Sequence, residues 1–451
     1  MTDFLPVMPR YEAYKDSGVA WIGEIPDHWC IEKGKWLFNK ADRPVENLDE
    51  IVTCFRDGQV TLRKNRRIEG FTNALQEHGY QGIRKGDLVI HAMDAFAGAI
   101  GVSDSNGKSS PVYSACTPIN GDNVYVYYYA YLLRYMALSR FIESLSKGIR
   151  ERSTDFRFND FSNLRLVVPH FKEQTTIANF LDYKTEKIDQ AVAIKEKQIQ
   201  LLKERKQILI QTAVTKGLDP NVPMADSGVE WIGQIPAHWE KTRLKFVSKI
   251  QSGLTLGKQY PPGNLSEYPY LRVANVQNGF FNLNDVATIY LPKNEALKYL
   301  LSKHDILVTE GGDIDKLGRG TVWESDIEPC LHQNHIFAIR IVSSRINCNF
   351  IAQFMTTEKV RKYFIDTATK TTNLASTNRT TLGNLTLLIP PLNEQNKILS
   401  HIHTQSAKID KAIAIQAQMI EKLKEYKATL INAAVTGKIK VPDPAESKVV
   451  A

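Results

Sequence analysis

The sequence predicts an α+β fold in which two mixed α/β globular units alternate with two long helices as a pseudo-twofold repeat. Three observations predict it. Residues 168–217 recur at 389–438, position n pairing with n+221 without a gap and 20 of 50 pairs identical. Residues 16–29, DSGVAWIGEIPDHW, recur at 226–239 as DSGVEWIGQIPAHW, with 11 of 14 positions identical at an offset of 210. Between these markers, residues 30–167 and 240–388 hold short strand-like runs broken by Gly, Asn and Asp, and they show no comparable alignment. Self-similarity on this scale marks a duplicated architecture.

The predicted order is a globular unit at 1–168, a long helix at 169–217, a linker at 218–225, a second unit at 226–389, a second helix at 390–438 and a tail at 439–451. Each unit opens on a marker whose two Trp, tight Gly and fixed Pro suit a rigid docking element. In the first insert, Gly86–His91 and Pro111–Tyr113 read as strands. In the second, Tyr270–Val273, Asp305–Val308 and His335–Ile339 do. Pro169 and Pro390 end the strand before each helix, and Glu173-Gln174 and Glu394-Gln395 place an acid and an amide in the first turn. Neither Gly nor Pro then intervenes until Gly217 and Gly437. About 40 helical residues make a rod of roughly 60 Å.

Apolar residues return every seventh position along both helices. Leu181, Ile188, Leu202 and Leu209 form one line and Val192, Ile199 and Ala213 another; the second copy has Ile402, Ile409, Leu423 and Leu430 beside Ile413, Ile420 and Ala434. A sustained heptad is a coiled-coil seam. Its polar breaks match between copies, Lys195 with Gln416 and Lys206 with Lys427, and such residues fix register. The simplest partner of each helix is the other helix of the same chain. Dimerisation with a second molecule is the alternative.

Length allows two or three domains, each with its own core, and 43% hydrophobic with 24% charged residues suits a soluble globular protein. No run of 18 apolar residues is long enough to span a membrane, and MTDFLPVMPR lacks a signal-peptide core. The five cysteines form no CxxC pair, which predicts reduced thiols and a cytoplasmic location. A net charge of +8 is compatible with a polyanionic partner.

Catalytic motifs are missing. Gly101 to Ser109 resembles a phosphate loop, but five residues separate its glycines and no helix follows. There is no GxGxxG and no Asn-Pro-Pro-aromatic run of the amino-methyltransferase kind. Cys330, His332 and His335, echoed by His401 and His403, have metal-like types without a fourth ligand at a recognised spacing, so they read as hydrogen-bonding histidines and no metal is expected.

What remains is basic, amide-rich loop sequence. Arg63, Lys64, Arg66, Arg67, Lys108, Arg150 and Arg152 lie in the first insert. Thr255, Arg272, Asn275, Lys316, Arg319, Gln333, Asn334, Lys370, Asn373 and Arg379 lie in the second. Arg and Lys neutralise phosphates, while Arg, Asn and Gln can grip base edges through paired hydrogen bonds. A single cluster of this kind is commonly a solvated face. Recurrence just before the strand leading into each helix favours DNA binding.

These features together resemble the specificity subunits of type I restriction–modification enzymes, the HsdS family. The resemblance covers essentially the whole chain. It is carried by the paired SGVxWIGxIPxHW starts, the PxxxEQ…KID…LKE…AAVTG helices, and the insert phrases GDLVIHAMDAFAGAIG, GKSSPVY, YPYLRVANV and DILVTEGGD. It implies two target recognition domains, each reading half of a bipartite double-stranded DNA site. It also implies an intramolecular antiparallel coiled coil that sets the spacing between half-sites. Two modification (HsdM) subunits would carry S-adenosylmethionine and adenine methylation, and two restriction (HsdR) subunits would add ATP- and Mg2+-dependent translocation and cleavage. This chain is then a non-catalytic subunit with no cofactor of its own. Unlike inserts in like frames predict an asymmetric site. The alternatives are the same role in a methylation-only or other phage-defence assembly, a nuclease or methyltransferase in its own right, and a coiled-coil scaffold without DNA.

Overall fold

The computed structural model describes residues 8–66, 69, 77–145, 155–257, 260–261, 264–312, 314, 317–370 and 375–442. They form two compact units, Met1–Glu196 with Ala417–Ala451, and Lys197–Gln416. The long helices run Phe171–Lys216 and Leu392–Val435, and the chain passes from one unit to the other inside both.

The first unit begins with a hairpin, Tyr14–Asp16 against Glu24–Pro26. Its turn is held by Asp16, whose Oδ1 accepts the Gly18 N–H at 2.9 Å. The second unit repeats it with Met224–Asp226 against Gln234–Pro236, and Asp226 accepts from Gly228 at 2.9 Å. This explains the recurring Asp-Ser-Gly: an acceptor side chain and a glycine with positive φ close the turn. The strand after each marker pairs with the strand before each long helix, Cys30–Lys33 with Arg165–Val168 and Glu240–Arg243 with Thr386–Ile389. Every globular insert is therefore tied shut at its base.

The inserts share more than their sequences indicated. The first holds a four-stranded antiparallel sheet in the order Phe38–Lys40, Tyr113–Pro118, Leu88–His91, Ile100–Val102. The second repeats that order with Ser248–Ser252, Ile336–Ile341, Ile306–Thr309 and Gly320–Val322. A buried sheet asks only for apolar residues of suitable size at alternating positions, so identity drifts while topology stays. Strand limits also differ from expectation. Gly86 turns with φ +93°, and Pro111 and Val112 precede their strand, since proline has no N–H to give the ladder. The Tyr270 strand is Leu265–Leu271, and a short helical turn at Val273–Asn275 replaces its expected end.

Each unit has its own core, to which both long helices contribute. In the first, Trp29, Phe38, Tyr128, Tyr129 and Phe161 pack with Ile177, Leu181 and Ile188 of one helix and Leu430, Ala434 and Val435 of the other. In the second, Trp239, Phe350, Phe354 and Phe364 pack with Ile210, Ala213 and Val214 and with Ile398 and Ile402. Of the seam residues, Leu181, Ile188, Ala213, Ile402, Ile409, Ile420, Leu430 and Ala434 are buried, while Val192, Ile199, Leu202, Leu209, Ile413 and Leu423 are half-buried. Ile177, Ile210, Val214 and Ile398 were not on the heptad lines. At the helix ends the buried face widens, because a globular core covers it as well as a second helix.

The recurring helix residues have physical reasons. Gln174 is fully buried; its Oε1 accepts the Tyr125 N–H at 2.7 Å and its amide donates to Asn123 O and Pro169 O at 2.9 Å each. Gln395 does the same with Asn347 N at 2.9 Å, Arg345 O at 2.9 Å and Pro390 O at 2.8 Å. The acid before it receives the marker: His28 and Trp29 reach Glu173, and His238 and Trp239 reach Glu394 at 2.8 and 3.1 Å. Two of the polar breaks, Lys206 and Lys427, find carboxylates. Lys427 pairs with Asp189 at 2.7 Å in the first unit, and Lys206 with Asp410 at 2.7 Å in the second. Residue 189 becomes 410 and 206 becomes 427 at the repeat offset, so the duplication supplies both partners of both pairs.

Candidate nucleic-acid interface

In the second unit a rim of backbone contacts gathers several of the expected residues. Leu254 N–H donates to His332 O at 2.8 Å and Asn334 N–H to Leu254 O at 3.1 Å; Glu310 N–H donates to His335 O at 2.9 Å and Thr377 N–H to Glu310 O at 2.8 Å. Gly311–Gly312 pairs with Ala375–Ser376, which pairs with Thr369–Lys370. Thr255, Gln333, Asn334 and Lys370 therefore share one rim with His335 and Glu310. A Cβ at Gly253 would stand 2.1 Å from His332 O, so glycine is required there. A missing side chain lets another backbone come close, and here that backbone is the chain's own, at His332 and Gln333.

Rim polarity is set by neighbours. His335 Nδ1 lies 2.6 Å from Glu310 Oε2, and its Nε2 is 3.3 Å from the Asn334 amide. Gln333 Oε1 accepts from Val273 N–H at 3.4 Å. Lys370 is exposed with no acidic partner among the described residues. Beneath the rim His332 is fully buried, and burial pushes its imidazole down to about 4. Burial likewise pushes the Cys330 thiol up to about 12. His335 faces Glu310 instead of these two, and among the described residues no three His, Cys, Asp or Glu converge as metal ligands.

Four expected residues of the second insert sit apart from the rim's edge. Asn275 is buried, and its amide donates to Asn282 O at 2.9 Å and Asp285 O at 2.8 Å while its Oδ1 caps Arg272 N–H. Its hydrogen-bonding capacity is turned inward, which corrects the expectation of a base-reading amide. Arg272 pairs with Asp285 at 2.8 Å. Arg319 lines a separate groove with Gln277 and Arg361. Arg379 is exposed at the start of the short helix Arg379–Gly383.

The first unit builds the same scaffold with other side chains. Ala92 N–H donates to Val112 O at 3.0 Å and Phe156 N–H to Ala92 O at 3.2 Å, the counterparts of the Glu310 contacts. Met93, half exposed, takes the rim position beside Ala92. Arg63 Nε donates to Thr53 Oγ1 at 3.3 Å, and Arg66 lies over the Phe55 ring while pairing with Asp57 at 2.6 Å. Arg56, which sequence reasoning missed, pairs with Asp94 at 2.8 Å. Burial lowers the His91 pKa, and its Nδ1 accepts the Asp94 N–H at 3.0 Å. His91 also lies edge-on to Tyr113 at 4.5 Å, and burial pushes that phenol up to about 12. Lys64 pairs with Glu50, and Lys108 with Glu77 at 2.6 Å. Lys108 belongs to strand Gly107–Ser109, which agrees with rejecting the phosphate loop. Arg67, Arg150, Arg152, Lys316 and Asn373 lie outside the described residues. No described helix is long and apolar enough to cross a membrane.

Known proteins resemble this chain in sequence and in fold. Residues 236–425 match the family model described as the type I restriction modification DNA specificity domain. The chain is 26% identical over 332 residues to the type I restriction enzyme MjaVIII specificity subunit of Methanocaldococcus jannaschii, covering 71% of each chain. It is 26% identical over 272 residues to the StySPI specificity subunit of Salmonella potsdam, covering 60% of this chain and 56% of that one. In fold it is similar to a chain from a study of assembly and conformational transition of a type I R-M system, with TM-score 0.67, 15% identity and coverage of 91% and 98%. The HsdS subunit from Thermoanaerobacter tengcongensis superposes with TM-score 0.51 at 14% identity over 92% of this chain and 98% of that one.

Proposed function

We propose that this chain, which belongs to the type I restriction–modification specificity-subunit family, selects the DNA sequence on which such a complex acts. Each unit reads one half of a bipartite duplex site. The observation that carries this reading is one scaffold presenting two unlike rims: Met93, Arg56 and Arg66 in the first unit, and Gln333, Asn334 and His335 in the second. Arg can grip guanine, and Asn or Gln adenine, in the major groove, the groove that distinguishes all four base pairs. Unlike rims make the two half-sites unlike.

The long helices hold the two readers at a fixed separation, packing against each other as an antiparallel coiled coil and setting a spacer of about one or two duplex turns of 34–36 Å. Two modification subunits bring S-adenosylmethionine and methylate adenine, and two restriction subunits bring ATP and Mg2+ for translocation and cleavage. The chain itself performs no chemistry and works in the cytoplasm beside the DNA. Methylome sequencing of cells that express the chain with its modification subunit tests the assignment. A new asymmetric, bipartite adenine-methylated motif that needs both proteins is expected; its absence would overturn the reading.

A further inference from the structure

The second unit carries a groove whose charge is not balanced. It is lined by Lys245, Lys249 and Arg379 together with Gln251, Thr380 and Asn384, and none of its described lining residues is a carboxylate. Lys245 Nζ donates to Asn384 Oδ1 at 2.9 Å, and all three cations are exposed. Several cations elsewhere in the inserts have acidic partners: Lys64 has Glu50, Arg66 has Asp57, Lys108 has Glu77 and Arg272 has Asp285. Charges gathered without a counter-charge repel one another and favour an anion between them.

The groove leads to the rim. Lys249 and Gln251 lie on the edge strand Ser248–Ser252, which continues into Gly253–Thr255, and Leu254 there bonds His332 and Asn334. The first unit lacks an equal. At the repeat offsets its counterparts of Lys245, Lys249 and Arg379 are Lys35, Asn39 and Phe158. There Lys40 pairs with Asp42 at 3.2 Å, and Asp42 stands where the second unit has Ser252.

Resting on the DNA-reading assignment, we propose that Lys245, Lys249 and Arg379 form a clamp for the phosphate backbone beside the second half-site, so that DNA is anchored unequally by the two units. Cations that meet phosphates release counterions and set the salt dependence of binding, while base choice rests with the rim.

The test is the salt dependence of binding by the full chain to a fluorescein-labelled duplex of random sequence, read by anisotropy. Each lost phosphate contact removes about 0.9 from the slope of log K against log salt. Lys245→Ala with Lys249→Ala and Arg379→Ala should therefore flatten the slope by about 2–3, Lys249→Ala alone should flatten it by about 0.9, and Lys245→Arg with Lys249→Arg should keep it. Binding by the variants with an unchanged slope would overturn the clamp and leave the assigned function standing. The clamp also falls if the triple variant loses only inorganic phosphate, titrated by calorimetry, or only its modification subunits on co-purification, each with the DNA slope intact. Absence of salt-sensitive DNA binding by the unaltered chain would overturn the function and the clamp together.

Discussion

The two units are one domain built twice, and they differ where they differ for distinct reasons. At the base, the hairpin turn, the marker's His and Trp on a helix-start carboxylate, and the buried glutamine are the same in both. At the rim, the backbone contacts persist while the side chains change from methionine and paired arginines to amides, histidine and an unbalanced cationic groove. Constancy therefore follows burial and hydrogen-bond commitment, and variation follows exposure. A group that must satisfy several backbone partners tolerates little substitution, whereas a solvent-facing one is free to acquire a new role.

The largest effect that could break this equivalence is at the buried glutamines. Gln174→Ala and Gln395→Ala should each destabilise their own unit by about 3 kcal/mol, because each leaves an amide N–H and two carbonyls unsatisfied. Hydrogen exchange resolved by unit is the measurement, and a large effect in one unit alone would end the claim that the two bases are alike. Gly437→Ala and Gly217→Ala sharpen the comparison. Both glycines have positive φ, +75° and +77°. A Cβ at Gly437 would stand 2.4 Å from Pro26 and 2.9 Å from Trp29, whereas at Gly217 the nearest atom is Glu394 Oε1 at 3.1 Å. Expected costs are about 3 kcal/mol for the first and about 1 kcal/mol for the second, seen as denaturation midpoints.

A third difference depends on pH. Because burial holds His332 near 4, below the usual histidine value, the unfolded chain binds the extra proton first as pH falls. Stability of the second unit should thus drop between about pH 6.5 and pH 4, by roughly 2–3 kcal/mol at the lower end. His332→Phe should flatten that dependence, and an unaltered acid profile would remove His332 as its cause. The smallest effect is at the lysine pairs. Lys206→Ala and Lys427→Ala should each cost about 0.5 kcal/mol, since both pairs remain partly exposed. Exchanging charge within a pair, as Lys206→Asp with Asp410→Lys, should restore the loss in thermal melts.

Much of the base was legible in the sequence because its residues recur, and recurrence at a fixed offset needs no knowledge of contacts. The reasons for it were not legible. Gln174 reads as a helix-start amide, and only the fold shows Asn123 and Tyr125 waiting beside it. The shared sheet was hidden, since Leu88–His91 and Ile306–Thr309 are apolar alike without being identical. Charge was the least legible property. Lys108 reads as a free cation until the chain brings Glu77 to it from 31 residues away. Asn275 reads as a reader of bases until the turn around Arg272 takes its side chain. Local sequence announces what a side chain can do, while tertiary contacts decide what is left for it to do.

The first unit is completed by residues that are synthesised after the whole of the second unit. Its core needs Leu430, Ala434 and Val435; Tyr128 Oη donates to Val435 O at 2.8 Å, and Gly437 seats against Trp29. All of the second unit, Lys197–Gln416, is made in between. At roughly 5–20 residues per second, those 220 or so residues take about 10–40 s to emerge. During that interval the tyrosine and tryptophan surfaces of the first unit stand uncovered, whereas the second unit is contiguous and can close as soon as it leaves the ribosome. Birth order therefore runs against sequence order: the unit begun first is finished after the other, and a ribosome that stops between them leaves behind a whole second unit and an open first one.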